Sequence, residues 1–203
     1  MPSSPTPARV PLKPGPDFNQ QTIPVTLQPR RAWFRIHRAG APAAFFCCLP
    51  HHRFSHGKCP FELLYLGGSV QTCLWEYFGE DVFQGRRVIS AAKWTGSSLS
   101  RVVVPELQVC AVTLERTREA MIVDKASLMA ADLSIPQAWG WAVQEHPAGF
   151  QGIKYSSRFL DQPCLALFAR EGLPAKLHVH ALGSLTSLDI AMEWLDQRKA
   201  ALV

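Results

Sequence analysis

Apolar residues fall in short runs along most of this chain, and the runs are separated by Gly, Pro or polar clusters. Seven of them read as strands: "AWFRIH" (32–37), "FELLYLG" (61–67), "RRVISA" (86–91), "SRVVVP" (100–105), "LQVCAVTL" (107–114), "CLALFA" (164–169) and "KLHVHAL" (176–182). Helical patterns lie between them. Residues 69–78 follow a Gly67-Gly68 turn with Ser69 placed to cap, Asp124 precedes "KASLMAA", and Ser134 with Pro136 opens "PQAWGWAVQEH". The last segment, "SLTSLDIAMEWLDQRKA", sets Leu185, Leu188, Ala191, Met192 and Leu195 at helical spacing with Glu193 and Asp196 opposite, an amphipathic helix that either completes this core or packs on another subunit.

Strands and helices interleave without the regular alternation of a parallel sheet, and there is no internal repeat. The expected class is therefore α+β, a compact mixed or antiparallel β core with flanking helices. Composition changes the picture at one end. Eight of the 16 prolines lie within the first 29 residues, so 1–29 reads as a disordered proline-rich arm and 30–203 as a single domain.

A net charge of +5 suits an anionic ligand, but basic residues are scattered rather than gathered in a stripe, so direct nucleic-acid binding is not expected. The six cysteines mostly sit in apolar contexts without CxxC spacing and read as buried reduced thiols. With neither a membrane-spanning apolar stretch nor a secretory signal pattern, the expected location is cytoplasmic.

Several chemistries are disfavoured. "LGGSVQT" lacks the GxGxxG spacing, no GxxxxGK[ST] loop is present, and no GxSxG elbow accompanies the serines. "HHRFSH" holds His51, His52 and His56, but Pro50 and Gly57 bound it and no second ligand motif supports it. It reads as a solvated loop, and no metal is expected.

Five polar residues are embedded beside apolar strands: Arg35 in "WFRIH", Arg53 in "HHRFSHG", Tyr65 in "LLYLG", Glu76 in "CLWEYFG" and Ser157 in "GIKYSSRF". Singly, each has a bland reading as a surface charge, a turn residue or a tethered core tyrosine. Glu76 is the most pointed case, because a helix over 69–78 sets it at the edge of the stripe of Val70, Cys73, Leu74 and Tyr77 or Phe78. From there it either faces solvent or borders a cleft.

In order and local context these segments resemble the RES domain family, whose members include toxins of toxin–antitoxin pairs. The matching pieces are the aromatic-Arg strand "WFRIH", the Arg-Phe loop "HRFS", the Tyr-to-Glu segment "LLYLGGSVQTCLWE" and "GIKYSSRFLDQPCLALF", together spanning residues 33 to about 169. The departure is at the loop, which continues as "SHGKCPF" where the family has a small or amide residue and glycine. Ser157 rather than Ser156 is taken as the family serine because it immediately precedes Arg158 and follows Tyr155 by two.

The resemblance implies an ADP-ribosyltransferase-like fold and an enzyme that consumes NAD as its substrate by breaking the nicotinamide–ribose bond, without a metal. On this reading Glu76, Arg35 and Ser157 are catalytic, while Arg53 and Tyr65 bind substrate. A carboxylate stabilises the positive charge that develops on the ribose, guanidinium forks hold the pyrophosphate, Tyr65 offers a ring face and a hydroxyl, and Ser157 bonds either the carboxamide or the carboxylate. The resemblance also implies a helix-turn-helix antitoxin as partner and self-association in some members. The alternative is a non-catalytic nucleotide- or protein-binding member of the same fold.

Overall fold

The structure is a computed structural model that describes residues 12–58, 60–83 and 87–203. Ten strands and six α-helices follow in the order β1 (Val25–Gln28), β2 (Arg31–Arg38), β3 (Leu63–Gly67), α1 (Val70–Phe83), β4 (Val88–Ile89), α2 (Ala91–Thr95), β5 (Ser97–Val104), β6 (Leu107–Ala111), α3 (Glu115–Met121), α4 (Lys125–Leu128), α5 (Ser134–Glu145), β7 (Gly152–Ser156), β8 (Pro163–Phe168), β9 (His178–Ser184), α6 (Asp189–Gln197) and β10 (Ala201–Leu202). Eight strands form one sheet in the order β1-β6-β7-β8-β3-β2-β5-β9, and β10 pairs with β4 in a second, two-stranded ribbon. Within the large sheet β6 and β7 run parallel and the other neighbours antiparallel. The class is the α+β arrangement that the interleaved pattern predicts.

The central strands are the most apolar. In β3 Leu63, Leu64, Leu66 and Gly67 are all buried, and in β8 the run from Cys164 to Phe168 is buried without a break, as befits strands covered on both faces. One face carries Trp33, Val102, Val109, Leu165 and Leu167. Helix α1 begins where expected, with the Thr72 amide donating to Ser69 Oγ at 3.1 Å, and packs Leu74 and Phe78 against Ile36, Leu99 and Trp94.

Helix α6 completes this same core through Ala191, Trp194 and Leu195. Its buried stripe differs from the expected one: Trp194 is inside while Met192 is exposed, because the helix starts only at Asp189 and the leucines before it lie on a 3₁₀ turn (Leu185–Ser187) and the Leu188 cap.

Three expectations need correction. Residues 12–28 belong to the fold rather than to a mobile arm. Phe18 packs edge-on to Trp139, Leu12 O accepts from Trp139 Nε1 at 2.8 Å, and β1 pairs with β6. Pro24 and Pro29 misled because an edge strand tolerates proline at its ends; residues 1–11 of the expected arm lie outside the described residues. Second, strand β7 coincides with the "GIKYS" segment that the pattern did not mark as a strand. Third, Cys73, Cys110 and Cys164 are buried free thiols as expected, but Cys48 is disulfide-bonded. Its apolar surroundings in "AFFCCL" mimicked a core thiol, whereas it lies in the irregular segment between β2 and β3. Cys59 lies outside the described residues.

Candidate functional site

Adjacent strands bring the distant residues together. Arg35 stands on β2, Tyr65 on β3 beside it, and Ser157 directly follows β7, two places across the sheet from β3. Helix α1, which leaves β3 through the Gly67-Gly68 turn, carries Glu76 over the same end, and the loop between β2 and β3 supplies Arg53. The cavity they border has a volume of about 370 Å³, and Arg35, Arg53, Tyr65, Glu76, Tyr155 and Arg158 are part of its wall. Ser157 stands just behind that wall, 3% exposed.

The carboxylate of Glu76 is open to this cavity and is held from behind: Ser157 Oγ donates to Glu76 Oε1 at 2.5 Å, and the same Oγ accepts from the Phe159 amide at 3.2 Å. Of the two partners that the sequence left open for Ser157, the carboxylate is the one it meets here. Ser156, one residue earlier, borders a separate, smaller cavity of about 140 Å³ together with Asp161 and Lys125.

The two arginines share a feature that sequence does not reveal. Arg35 Nη1 donates to Phe45 O at 2.8 Å, and Arg53 Nη1 donates to Leu128 O at 3.1 Å and Ala130 O at 3.4 Å. The ion pairs among the described residues are Lys93 with Asp81, Lys125 with Asp161 and Arg158 with Glu80, and neither of these arginines is in one. Burial lowers the pKa of both guanidinium groups, so each is a partly desolvated charge braced on neutral carbonyls. Braced at one nitrogen, each keeps donors free for an anion in the cavity.

Tyr65 lines the cavity and has a structural contact besides. Its hydroxyl accepts from the Phe54 amide at 3.0 Å and lies 3.5 Å from Ser55 Oγ, so it fastens the loop that carries Arg53. Burial pushes its phenol up to about 12, leaving it protonated.

Several residues of the cavity wall were not singled out from sequence as site residues. Tyr155, part of the Tyr-x-Ser-Arg segment, is buried against Phe54, with ring centroids 5.1 Å apart, and burial holds its phenol well above the ordinary value. His51, exposed, and His52, half-buried, line the cavity too, so the expected solvated loop is solvated only in part. The His52 ring meets Tyr65 edge-on at 5.0 Å, and burial, then the nearby His51 and Arg35, lower its pKa to about 4, so it is neutral at pH 7. The run of polar letters hid this: "HHRFSH" looks like surface, but Phe54 and Ser55 within it are fully buried and draw the neighbours inward. The remaining histidine of the stretch, His56, packs on Trp141 at 4.6 Å. At the rim, Arg158 pairs with Glu80, one helical turn beyond Glu76.

The arrangement therefore gathers one buttressed carboxylate and two carbonyl-anchored cations around one aromatic-lined cleft, a layout suited to an anionic ligand in which positive charge develops during reaction. Among solved structures, a chain of the crystal structure of the M. tuberculosis MbcT–MbcA toxin–antitoxin complex superposes with a TM-score of 0.61 at 20% identity, over 87% of this chain and 93% of that one. At that identity the likeness concerns the fold. No curated protein matches the chain. The RES domain profile matches residues 30–190, most of the chain, and on that ground the protein belongs to the RES domain family.

Proposed function

We propose that the protein is an NAD-consuming enzyme that breaks the bond between nicotinamide and ribose. The observation that carries this reading is the Ser157-supported Glu76 carboxylate exposed in a cleft that Arg35 and Arg53 also line, neither arginine being in an ion pair among the described residues. In the reaction the ribose C1′–N bond breaks, and its electron pair leaves with the nicotinamide ring, which thereby loses its positive charge. Positive charge then spreads over C1′ and the ring oxygen of the ribose, where the carboxylate of Glu76 stabilises it. Water, phosphate or a protein side chain adds to C1′ to finish the reaction as hydrolysis, phosphorolysis or ADP-ribosyl transfer.

Arg35 and Arg53 hold the pyrophosphate as charged forks, and the aromatic wall of Tyr65 and Tyr155 packs against the sugar and the leaving ring. None of these steps needs a metal. On the family resemblance, this proposal extends to a toxin that works in the cytoplasm and is partnered by a helix-turn-helix antitoxin covering the cleft. The test is to incubate the purified protein with NAD, with and without phosphate, and to follow nicotinamide release. Steady release supports the reading. NAD binding with no nicotinamide release over hours overturns it in favour of a binding protein.

A further inference from the structure

The hydrogen bond between Ser157 and Glu76 joins a loop to a helix, and its length depends on how the loop as a whole is seated against α1. Ser157 begins the loop from β7 to β8, and the next two residues both lie along α1: Arg158 pairs with Glu80, and the Phe159 ring stacks on Trp75 with centroids 5.7 Å apart and planes at 25°. The tip of the ring points at Gly79, the residue one turn beyond Trp75. A Cβ there would lie 2.7, 2.8 and 2.9 Å from Cζ, Cε2 and Cε1 of Phe159, closer than real contacts allow. Glycine at 79 is thus a notch in the helix, sized for that ring.

The stack continues on both sides. Arg158 Cζ lies 4.7 Å over the Phe159 ring, Arg198 Cζ lies 5.0 Å over Trp75, and Trp194 of α6 meets Trp75 edge-on at 5.6 Å. The C-terminal helix thereby backs the aromatic pair that seats the loop.

We infer that Phe159, seated in the Gly79 notch and stacked on Trp75, is a positioning residue that sets the distance between Ser157 and the Glu76 carboxylate. The inference rests on the proposed reaction, in which Glu76 faces the ribose. The physical reason is one of register: the loop is tied across itself by Ser157 N to Gln162 O at 2.7 Å and Asp161 N to Ser157 O at 3.1 Å, so it moves as one unit. The half-buried Phe159, two residues after Ser157, is its aromatic contact with α1, so that shifting the ring shifts Ser157 with it. A misplacement of about 1 Å at a reacting group costs on the order of a hundredfold in rate.

The experiment compares wild type with Gly79→Ala, Phe159→Leu and the double variant, measuring kcat and KM for NAD and solving the structure of Gly79→Ala. The added methyl pushes the ring out, so Gly79→Ala loses about tenfold or more in kcat with KM changed less than about threefold. Phe159→Leu removes the ring tip and makes room for the methyl, so the double variant recovers to the level of Phe159→Leu alone, a coupling that two independent structural defects do not give. Should Gly79→Ala fail to fold, Phe159→Tyr asks the same question from the loop side, because its hydroxyl projects into the notch. Wild-type kcat in Gly79→Ala overturns the inference, and so does a Gly79→Ala structure that keeps the Ser157–Glu76 contact, whatever kcat does. If wild type itself releases no nicotinamide, the reading of the reaction fails, and the Ser157–Glu76 distance in the variant structure still decides the positioning role.

Discussion

Ser157 Oγ donates to Glu76 Oε1 at 2.5 Å, a bond that closes a separation of 81 residues and holds a carboxylate at the mouth of the cleft from behind. Removing the donor leaves the carboxylate in place but free to rotate. Ser157→Ala is expected to lower nicotinamide release by about ten- to a hundredfold, and to cost about 1 kcal/mol of stability, since the Phe159 amide also loses its acceptor. Steady-state kinetics and a thermal melt check both. Ser156→Ala, which changes the neighbouring cavity, is expected to leave kcat near wild type.

The paired arginines give a second expectation. Arg53 spends Nη1 on the carbonyls of Leu128 and Ala130 and keeps the rest of its fork for the ligand. Lysine preserves the charge but cannot bond the backbone and a phosphate in one plane. Arg53→Lys should therefore raise KM for NAD by about tenfold or more with a smaller change in kcat, and Arg35→Lys should do the same through loss of the Phe45 carbonyl contact. Titrations of NAD binding and initial rates read the effect.

Packing behind the site gives a third. Gly140 of α5 lies against the loop that carries Arg53: a Cβ there would collide with Phe54 O and come within 2.9 Å of Phe54 Cβ. Both of these contacts are on the loop that Tyr65 fastens through the Phe54 amide. Gly140→Ala is expected to destabilise the fold by about 2 kcal/mol or more and to weaken NAD binding by displacing Arg53. Chemical denaturation measures the first and calorimetry the second.

The fourth concerns pH. His52 is neutral in the folded cleft, with its pKa lowered to about 4 by burial, His51 and Arg35. An unfolded histidine titrates near 6.5, so between about pH 6.5 and 4 the unfolded chain binds more protons and stability falls as pH falls. This contribution is complete above pH 6.5 and lost through pH 4, with an upper bound of about 3.4 kcal/mol that solvent screening of the half-buried ring reduces. His52→Gln should flatten the decline of stability across that window while leaving other carboxylate-linked losses at lower pH unchanged, as read by denaturation at successive pH values.

The candidate residues were legible in the sequence through the family resemblance of the segments that carry them, since singly each has a bland reading as a surface charge, a turn residue or a tethered tyrosine. That Arg35, Arg53, Tyr65 and Glu76 border one cavity depends on strand pairing, which the hydrophobic pattern does not give. Ser157 carried a signal through the Tyr-x-Ser-Arg segment, although β7 itself did not, being short and interrupted by Lys154 and Ser156. His52 was missed for a tertiary reason. Its local sequence is polar, and what draws it inward is the burial of Phe54 between α5 and Tyr155, a contact between segments far apart in the chain. The same holds for residues 12–28, whose two apolar anchors Phe18 and Ile23 are too sparse to register against the prolines around them. The notch at Gly79 has no sequence signature, because a glycine in a helix is readable as a notch only when the ring that fills it is known.

The most direct measurement is nicotinamide release from NAD by wild type and by Glu76→Gln, which keeps the shape of the side chain and its capacity to accept the Ser157 hydrogen bond but removes its negative charge. With NAD binding unchanged within a few fold, the variant is expected to lose about a hundredfold or more of the wild-type rate. Release by Glu76→Gln at the wild-type rate would contradict the assignment of this carboxylate to the ribose, and with it the account of the cleft.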